Sequence, residues 1–326
     1  MADALYGADG FYRGPEGPVG HFRTAAHAGP AFAGPVRRLA NEVDEALGRP
    51  PRFDLVDLGA GRGELLTTLA AAPLPDHWRL TGVEVASRPS DLPDSVRWTG
   101  ELPPHITGLV VANEWLDTIP LDVAVTTTTG PRLVWVDAHG GETVGPPPSA
   151  RQLTWMDRWW PAGRPGDRVE IGLCRDDAWR GVIKALDRGV AVAADYAHTK
   201  SARPEAGTLT GYRRGQVVTI TPDGRCDITA HVALDSCAAA GCAAGAIDSA
   251  VVTQRDALRR LGVSARRTPR AAGEGPLDYL AALARTATAA DLIDPDGFGG
   301  FQWLVQTKGM ALPRSLQIRA WSIRDQ

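Results

Sequence analysis

The chain has 326 residues, 44% of them hydrophobic and 22% charged, with 35 basic against 38 acidic side chains and a formal charge of −3. This is an ordinary globular balance, ample for a buried core, and it offers no polybasic field, so nucleic acid is excluded as the expected partner. No apolar run approaches the ~20 residues that span a bilayer, and the N-terminus lacks the basic and apolar segments of a secretory signal; no membrane role and a cytoplasmic location are expected.

The four cysteines, Cys174, Cys226, Cys237 and Cys242, are irregularly spaced and unmatched by a His/Cys pair, so reduced thiols are expected and no metal. Lysine occurs three times against 32 arginines, a bias of genome composition rather than of function.

Residues 1–30 are rich in glycine and aromatics without helical period and read as an irregular arm. Phe32, Val36, Leu39, Val43 and Leu47 then mark one helix face, stopped by Gly48 and Pro50-Pro51. Phe53 to Leu58 is an apolar run ending in glycines, the pattern of a buried parallel strand. Leu65 to Ala72 reads as helix, Leu80 to Val85 as a second strand, Leu109 to Ala112 as a third. Val123 to Val136 offers strand material around a Gly130-Pro131 turn. Trp179, Val182, Ile183 and Leu186 share a helix face before a strand over Val190 to Ala194. Helices are expected near Asp256–Leu261 and Leu277–Ala290, and strands at Phe301–Gln306 and Leu316–Trp321.

Alternating strands and helices predict an α/β fold: a Rossmann-like, doubly wound, mainly parallel sheet. The divisions drawn from the pattern are an arm and helix over 1–50, a core over 51–203, a substrate-side cap or insertion over 204–296, and C-terminal strands completing the sheet over 297–326.

The chemistry concentrates where the first strand meets its helix, at Asp57-Leu58-Gly59-Ala60-Gly61-Arg62-Gly63-Glu64. Glycines there allow a turn closed to other residues and bring a ligand against the main chain, whose N–H groups can bond it. Glu84, 27 residues beyond Asp57 at the end of the next strand, is placed to accept hydrogen bonds from two ribose hydroxyls. A nicotinamide or flavin site would need G-x-G-x-x-G/A; the sequence after Gly61 is Arg62-Gly63-Glu64, without the third small residue. Asp57 suits a ligand with an ammonium group, as in the methionine end of S-adenosylmethionine (SAM). Asp57, Gly59, Ala60, Gly61, Gly63, Glu84 and Asn113 are the expected cofactor residues.

Several segments resemble one family, the MidA-like class I methyltransferases, which includes a mitochondrial arginine methyltransferase assisting respiratory complex I assembly. Gly10-Phe11-Tyr12 and His21–Phe32 resemble its arm and F-x-T-S-P-x-x-S-x-x-F signature, with Ala25, Ala26 and Gly29 replacing Ser, Pro and Ser. Asn113–Pro120 resembles N-E-F-x-D-A-L-P, and Asp195-Tyr196-Ala197 resembles D-Y-G. Gly207–Tyr212, Asp227–Val232 and Thr253–Gly262 are similar to its G-T-L-x-x-Y, D-I-T-A-H-V and T-Q-x-x-F-L-x-x-L-G elements. The resemblance implies SAM-dependent methyl transfer, with a protein arginine as leading acceptor. A small molecule or peptide is the alternative acceptor; a SAM-fold assembly factor without turnover is the alternative of another class. A homodimer is compatible with the sequence.

Glu114 and Asp117 follow a strand whose carboxyl end faces the ligand crevice of an open sheet. Carboxylates there can hold a guanidinium by paired hydrogen bonds. Tyr196, at a later strand end, is a candidate pocket wall, and His231 a candidate general base. Each has a bland alternative: Asp117 as a turn cap, Glu114 as an ion-pair partner, Tyr196 as packing, His231 as a hydrogen-bonded turn residue.

Overall fold

The computed structural model describes residues 1–14, 23–266 and 275–317. Its centre is a seven-stranded sheet of β1 (Phe53–Leu58), β2 (Trp78–Val83), β3 (Val96–Thr99), β4 (Ile106–Asn113), β5 (Leu186–Asp195), β6 (Asp248–Thr253) and β7 (Gln302–Lys308). The strand order is β6-β7-β5-β4-β1-β2-β3. β3, β2, β1, β4 and β5 run parallel, and β7 enters antiparallel between β5 and β6. The strand order reverses between β1 and β4, the point at which an open α/β sheet leaves a crevice beyond its carboxyl ends.

Every residue of β1 is buried, as a strand covered on both faces requires. Two of those residues are aspartates. Asp54 accepts a hydrogen bond from Arg52 Nε at 2.8 Å, whereas Asp57, equally buried, ends beside the glycine turn.

The helices are α1 (Ala2–Tyr6), α2 (Pro30–Ala46), α3 (Glu64–Ala70), α4 (Ala150–Trp159), α5 (Leu173–Ala185), α6 (Leu234–Ala243), α7 (Gln254–Arg260) and α8 (Pro276–Leu292). α2 buries Phe32, Val36, Leu39 and Val43 from one stripe and packs with α3, α7 and α8 against one face of the sheet. α5 and α6 cover the other face through Trp179, Val182, Ile183 and Leu234. Six of the seven expected strand regions and all five expected helices therefore lie where their periodicity put them, within a few residues.

The misses are short or atypical. β3 has only four residues, one of them the exposed Arg97. α6 is alanine-rich and nearly buried, so it lacks the polar face that announces a helix. α4 begins at a capping box of Ser149 and Gln152 that sequence inspection passed over. Of the expected strand Leu316–Trp321, Leu316 closes a 3-10 turn and residues 318–321 lie outside the described residues.

Two larger accessory sheets flank the core, beside a two-stranded pairing of Ala197–His198 with Val232–Ala233. Strands Asp122–Thr127, Gly130–Val136, Glu142–Val144 and Arg168–Ile171 form an antiparallel sheet beneath α4, sealed by Trp155, Met156 and Trp160. Thr210–Arg213, Gln216–Val218 and Asp227–Thr229 form a second, three-stranded sheet. Leu5 and Phe11 of the N-terminal arm pack on Cys226 and Ile228 of that sheet. Of the span 204–296 drawn as a cap, the three-stranded sheet joins the arm, while β6 belongs to the main sheet. Among the described residues no helix is long and apolar enough to cross a membrane, and the four cysteines are free.

Candidate active site

The glycine turn after β1 is built on left-handed backbone, with φ of +74° at Gly59, +58° at Gly61 and +82° at Gly63. Side chains rarely adopt this region, and packing closes it further. A Cβ on Gly59 would lie 2.7 Å from Trp115 Cδ1, and one on Gly63 2.5 Å from Leu92 Cδ1. Gly59 and Ala60 spend their N–H groups on Val83 O, which pins the turn to the end of β2.

Glu84 follows directly. Its Oε2 accepts from Gly61 N–H at 3.0 Å and its Oε1 from Val85 N–H at 2.7 Å, so the two ligand-facing turns hold each other. Burial pushes its carboxyl up, and the backbone donors pull it back.

These elements line a cavity of about 710 Å³ that also takes in Glu64, Asn113, Glu114 and Trp115. Its acidity is unbalanced near the turn. Asp57, with Glu64 and Glu84 close by, is pushed up to about 8, mainly by burial and then by those two like charges. A cationic ligand group would relieve that arrangement. Among the described residues no cluster of three metal-ligating side chains forms.

Beyond the end of β4 the backbone turns sharply. Glu114 has φ of +52°, strained for a residue with a side chain, and is tied by its N–H to Ala194 O at 2.8 Å. Leu116 N–H donates to Asp195 Oδ2 at 3.0 Å, so the end of β5 straps the loop at two points. The Glu114 side chain turns into the cavity, where Oε1 accepts from Ala25 N–H at 3.0 Å and Asn113 Nδ2 at 3.1 Å. Burial pushes its carboxyl to about 8, the donors from Ala25 and Asn113 opposing and the Asp117 charge adding to the rise. Asn113 Oδ1 is buried without a partner among the described residues.

The other predicted residues sit apart from the cavity lining. Asp117 is buried against Asp195, its carboxyl raised to about 6 by burial with the Arg175 guanidinium opposing. Arg175 donates to the main-chain carbonyls of Asp117, Ala230 and Ile119, fixing the loop to the 230 segment. Tyr196 and His231 stack on each other with ring centroids 5.5 Å apart, and Tyr196 also leans on Phe301. Burial lowers the His231 imidazole pKa. Gly63 shapes the turn from behind rather than lining the cavity.

Residues that sequence reasoning did not select complete the walls. Tyr6 and Tyr12 stack at 5.3 Å; Tyr6 donates to Thr118 Oγ1 at 3.1 Å and Tyr12 to Asp227 Oδ1 at 2.9 Å. Thr24, Ala26 and His27 of the arm close the side next to Glu64. Tyr12, Thr24, Ala26 and His27 fall in segments that resemble the family's arm signature, but nothing there marks a cavity wall, because they reach the cavity only when the arm docks on the three-stranded sheet.

The fold, the glycine turn and the acidic residue after β2 together define a Rossmann-like SAM-dependent methyltransferase. The chain belongs to the family described as "putative S-adenosyl-L-methionine-dependent methyltransferase", whose model matches residues 75–253. The MidA-like resemblance agrees with that membership. Two solved structures from Burkholderia thailandensis, both of one superfamily, share the fold. One, bound to S-adenosyl-homocysteine, is 24% identical with a TM-score of 0.77, covering 94% of this chain and 84% of that one. The other, a native structure, is 24% identical with a TM-score of 0.81, covering 100% and 90%. No curated protein matches the chain.

The enzyme therefore uses SAM, and the residues present fit it. Asp57 is a buried carboxylate without a countercharge in its first strand, Asn113 offers an orphaned acceptor, and the turn exposes backbone at the switch point.

Proposed function

We propose that this enzyme methylates a guanidinium nitrogen of a protein arginine. Glu114 carries the reading: a buried carboxylate on strained backbone, facing the cavity, whose protein hydrogen bonds go to Oε1. Among the described residues no donor reaches Oε2, which is left for an incoming N–H. Tyr6 and Tyr12, with Asp227 behind them, supply flat walls and negative charge suited to a planar cation.

Glu84 would hold the cofactor's ribose hydroxyls and Asp57 its ammonium, with the backbone of Gly59, Ala60 and Gly61 and the Asn113 side chain lining the same site. Gly63 keeps the helix start close to the turn. When bound, the cofactor supplies an electrophilic methyl carbon on a positively charged sulfur. Glu114 would hold one guanidinium nitrogen and would take the proton which that nitrogen sheds on methylation. Asp117 sets the loop that carries Glu114, and Tyr196 with His231 borders the approach.

The test is transfer of labelled methyl to a cell lysate separated by size. Label in protein that hydrolyses to methylarginine supports the proposal. Label confined to small molecules, or to another protein residue, rejects it.

A further inference from the structure

His27 enters the cavity from the N-terminal arm with its tautomer set. Thr24 N–H donates to His27 Nδ1 at 3.1 Å, and the Thr24 hydroxyl lies 2.9 Å from the same nitrogen. A backbone N–H can only donate, so Nδ1 is the acceptor and the ring proton of the neutral imidazole sits on Nε2. That Nε2–H is buried and finds no hydrogen-bond partner among the described residues. The nearest carboxylate oxygen, Glu64 Oε1, stands 3.6 Å away, too far for a hydrogen bond, while Glu64 Oε2 accepts from Arg62 N–H at 3.1 Å.

A buried donor without an acceptor is costly, and native proteins rarely keep one unless a ligand completes it. The cofactor's methionine end carries two charges. Asp57 and Glu64 suit its ammonium; neither suits its carboxylate. The N–H groups of Gly59, Ala60, Gly61 and Arg62 are already spent on Val83, Glu84 and Glu64. Among the described residues, His27 Nε2–H is a buried side-chain donor on that side of the cavity with no partner.

We propose that His27 binds the carboxylate of the cofactor's methionine moiety through Nε2–H, so that the arm is part of the cofactor site. The assignment rests on the cofactor orientation proposed above. It also couples the two substrates' sites, because the same 3-10 turn, Ala25–Ala28, donates Ala25 N–H to Glu114. A docked arm then requires both the cofactor's tail and an acceptor carboxylate in place.

The experiment is calorimetric titration of native protein, His27→Ala and His27→Gln with three ligands: SAM, decarboxylated SAM, and 5′-methylthioadenosine. Decarboxylated SAM keeps the ammonium and lacks only the carboxylate; methylthioadenosine lacks the whole tail. A hydrogen bond to a charged group predicts that His27→Ala weakens SAM by about 10- to 100-fold. Decarboxylated SAM and methylthioadenosine should bind native and variant alike, and His27→Gln, which keeps an N–H donor, should recover part of the loss. An equal loss for SAM and decarboxylated SAM would mean that His27 only holds the arm or Glu64, and would overturn the proposal. So would no loss at all. Failure of the orientation itself has a separate signature, methylthioadenosine binding unmoved by Glu84→Ala, and it would remove the His27 assignment with it.

Discussion

The two ends of the cavity are built in opposite ways. The nucleotide end comes from one stretch of chain, Asp57 to Glu84, and is built largely from main chain: left-handed glycines and N–H groups tied to Val83 and Glu84. The end proposed for the acceptor is assembled from side chains far apart in sequence, Tyr6, Tyr12, Glu114 and Asp227, held by an arm that folds onto the 210–229 sheet. A backbone-built end is insensitive to most side-chain changes, whereas a side-chain-built end can be altered one residue at a time.

If the two ends are separable, Glu114→Gln is the sharpest cut. It keeps Oε1 for Ala25 and Asn113 and removes the carboxyl that a bound guanidinium would draw into its charged form. Turnover should fall about 10²- to 10³-fold, the scale of losing one preorganised electrostatic contact, while SAM affinity stays within about twofold. Unchanged turnover removes Glu114 from the chemistry; a parallel loss of SAM binding would show that the ends are not independent. Glu84→Gln probes the other end. It retains an acceptor for Gly61 N–H and loses the charge, so SAM affinity should fall about tenfold or more, with kcat at saturation little changed. A kcat defect without a binding defect would break the division.

Asp57 turns the comparison into a pH measurement. Burial and the Glu64 and Glu84 charges hold its carboxyl at about 8, so near neutrality the empty protein keeps it protonated. An ammonium partner needs the anion. SAM binding should therefore release a proton, and affinity should rise by at least about tenfold from pH 6 to pH 8 and gain little above it. The stability sign is the reverse for the empty protein. A carboxyl raised in the folded state binds more protons there than in the unfolded chain, so stability falls as pH climbs from its ordinary range towards 8. Saturation with S-adenosyl-homocysteine should flatten the fall. Thermal melts with and without it, repeated on Asp57→Asn, check both signs; a pH-independent affinity in native protein sinks the ammonium pairing.

How much of this was legible in the sequence follows the same divide. The core strands and the α2 stripe are read from burial on two faces or one, and the glycine turn from residue types that only a left-handed bend requires. The Gly207-Thr208-Leu209 element is visible as a pattern, but its reason is not. Thr208 and Leu209 N–H groups and the Thr208 hydroxyl all converge on Glu170, some forty residues earlier. Tyr12 and Asp227 are likewise an ordinary aromatic and an ordinary turn acid until the arm brings them to 2.9 Å. Periodicity reports on the neighbours a residue has along its own element; it is silent about partners supplied by loop closure, and the acceptor end is made of those.

The smallest expected effect is at His231, and it decides how far the acceptor end extends. As a general base, His231 would have to reach the acceptor nitrogen or a water beside it. Its ring instead stacks on Tyr196, its main-chain N–H donates to Thr208 Oγ1 at 2.8 Å, and neither ring lines the cavity that holds Glu114. Losing the stack removes about 0.5–1.5 kcal/mol of packing at the rim. His231→Ala should then leave kcat within about threefold and raise the acceptor KM modestly, with no change in the pH profile of kcat. A hundredfold drop in kcat, or the loss of an ionisation below the ordinary histidine range from the profile, would move proton transfer from Glu114 to His231 and extend the acceptor end to the Tyr196 rim.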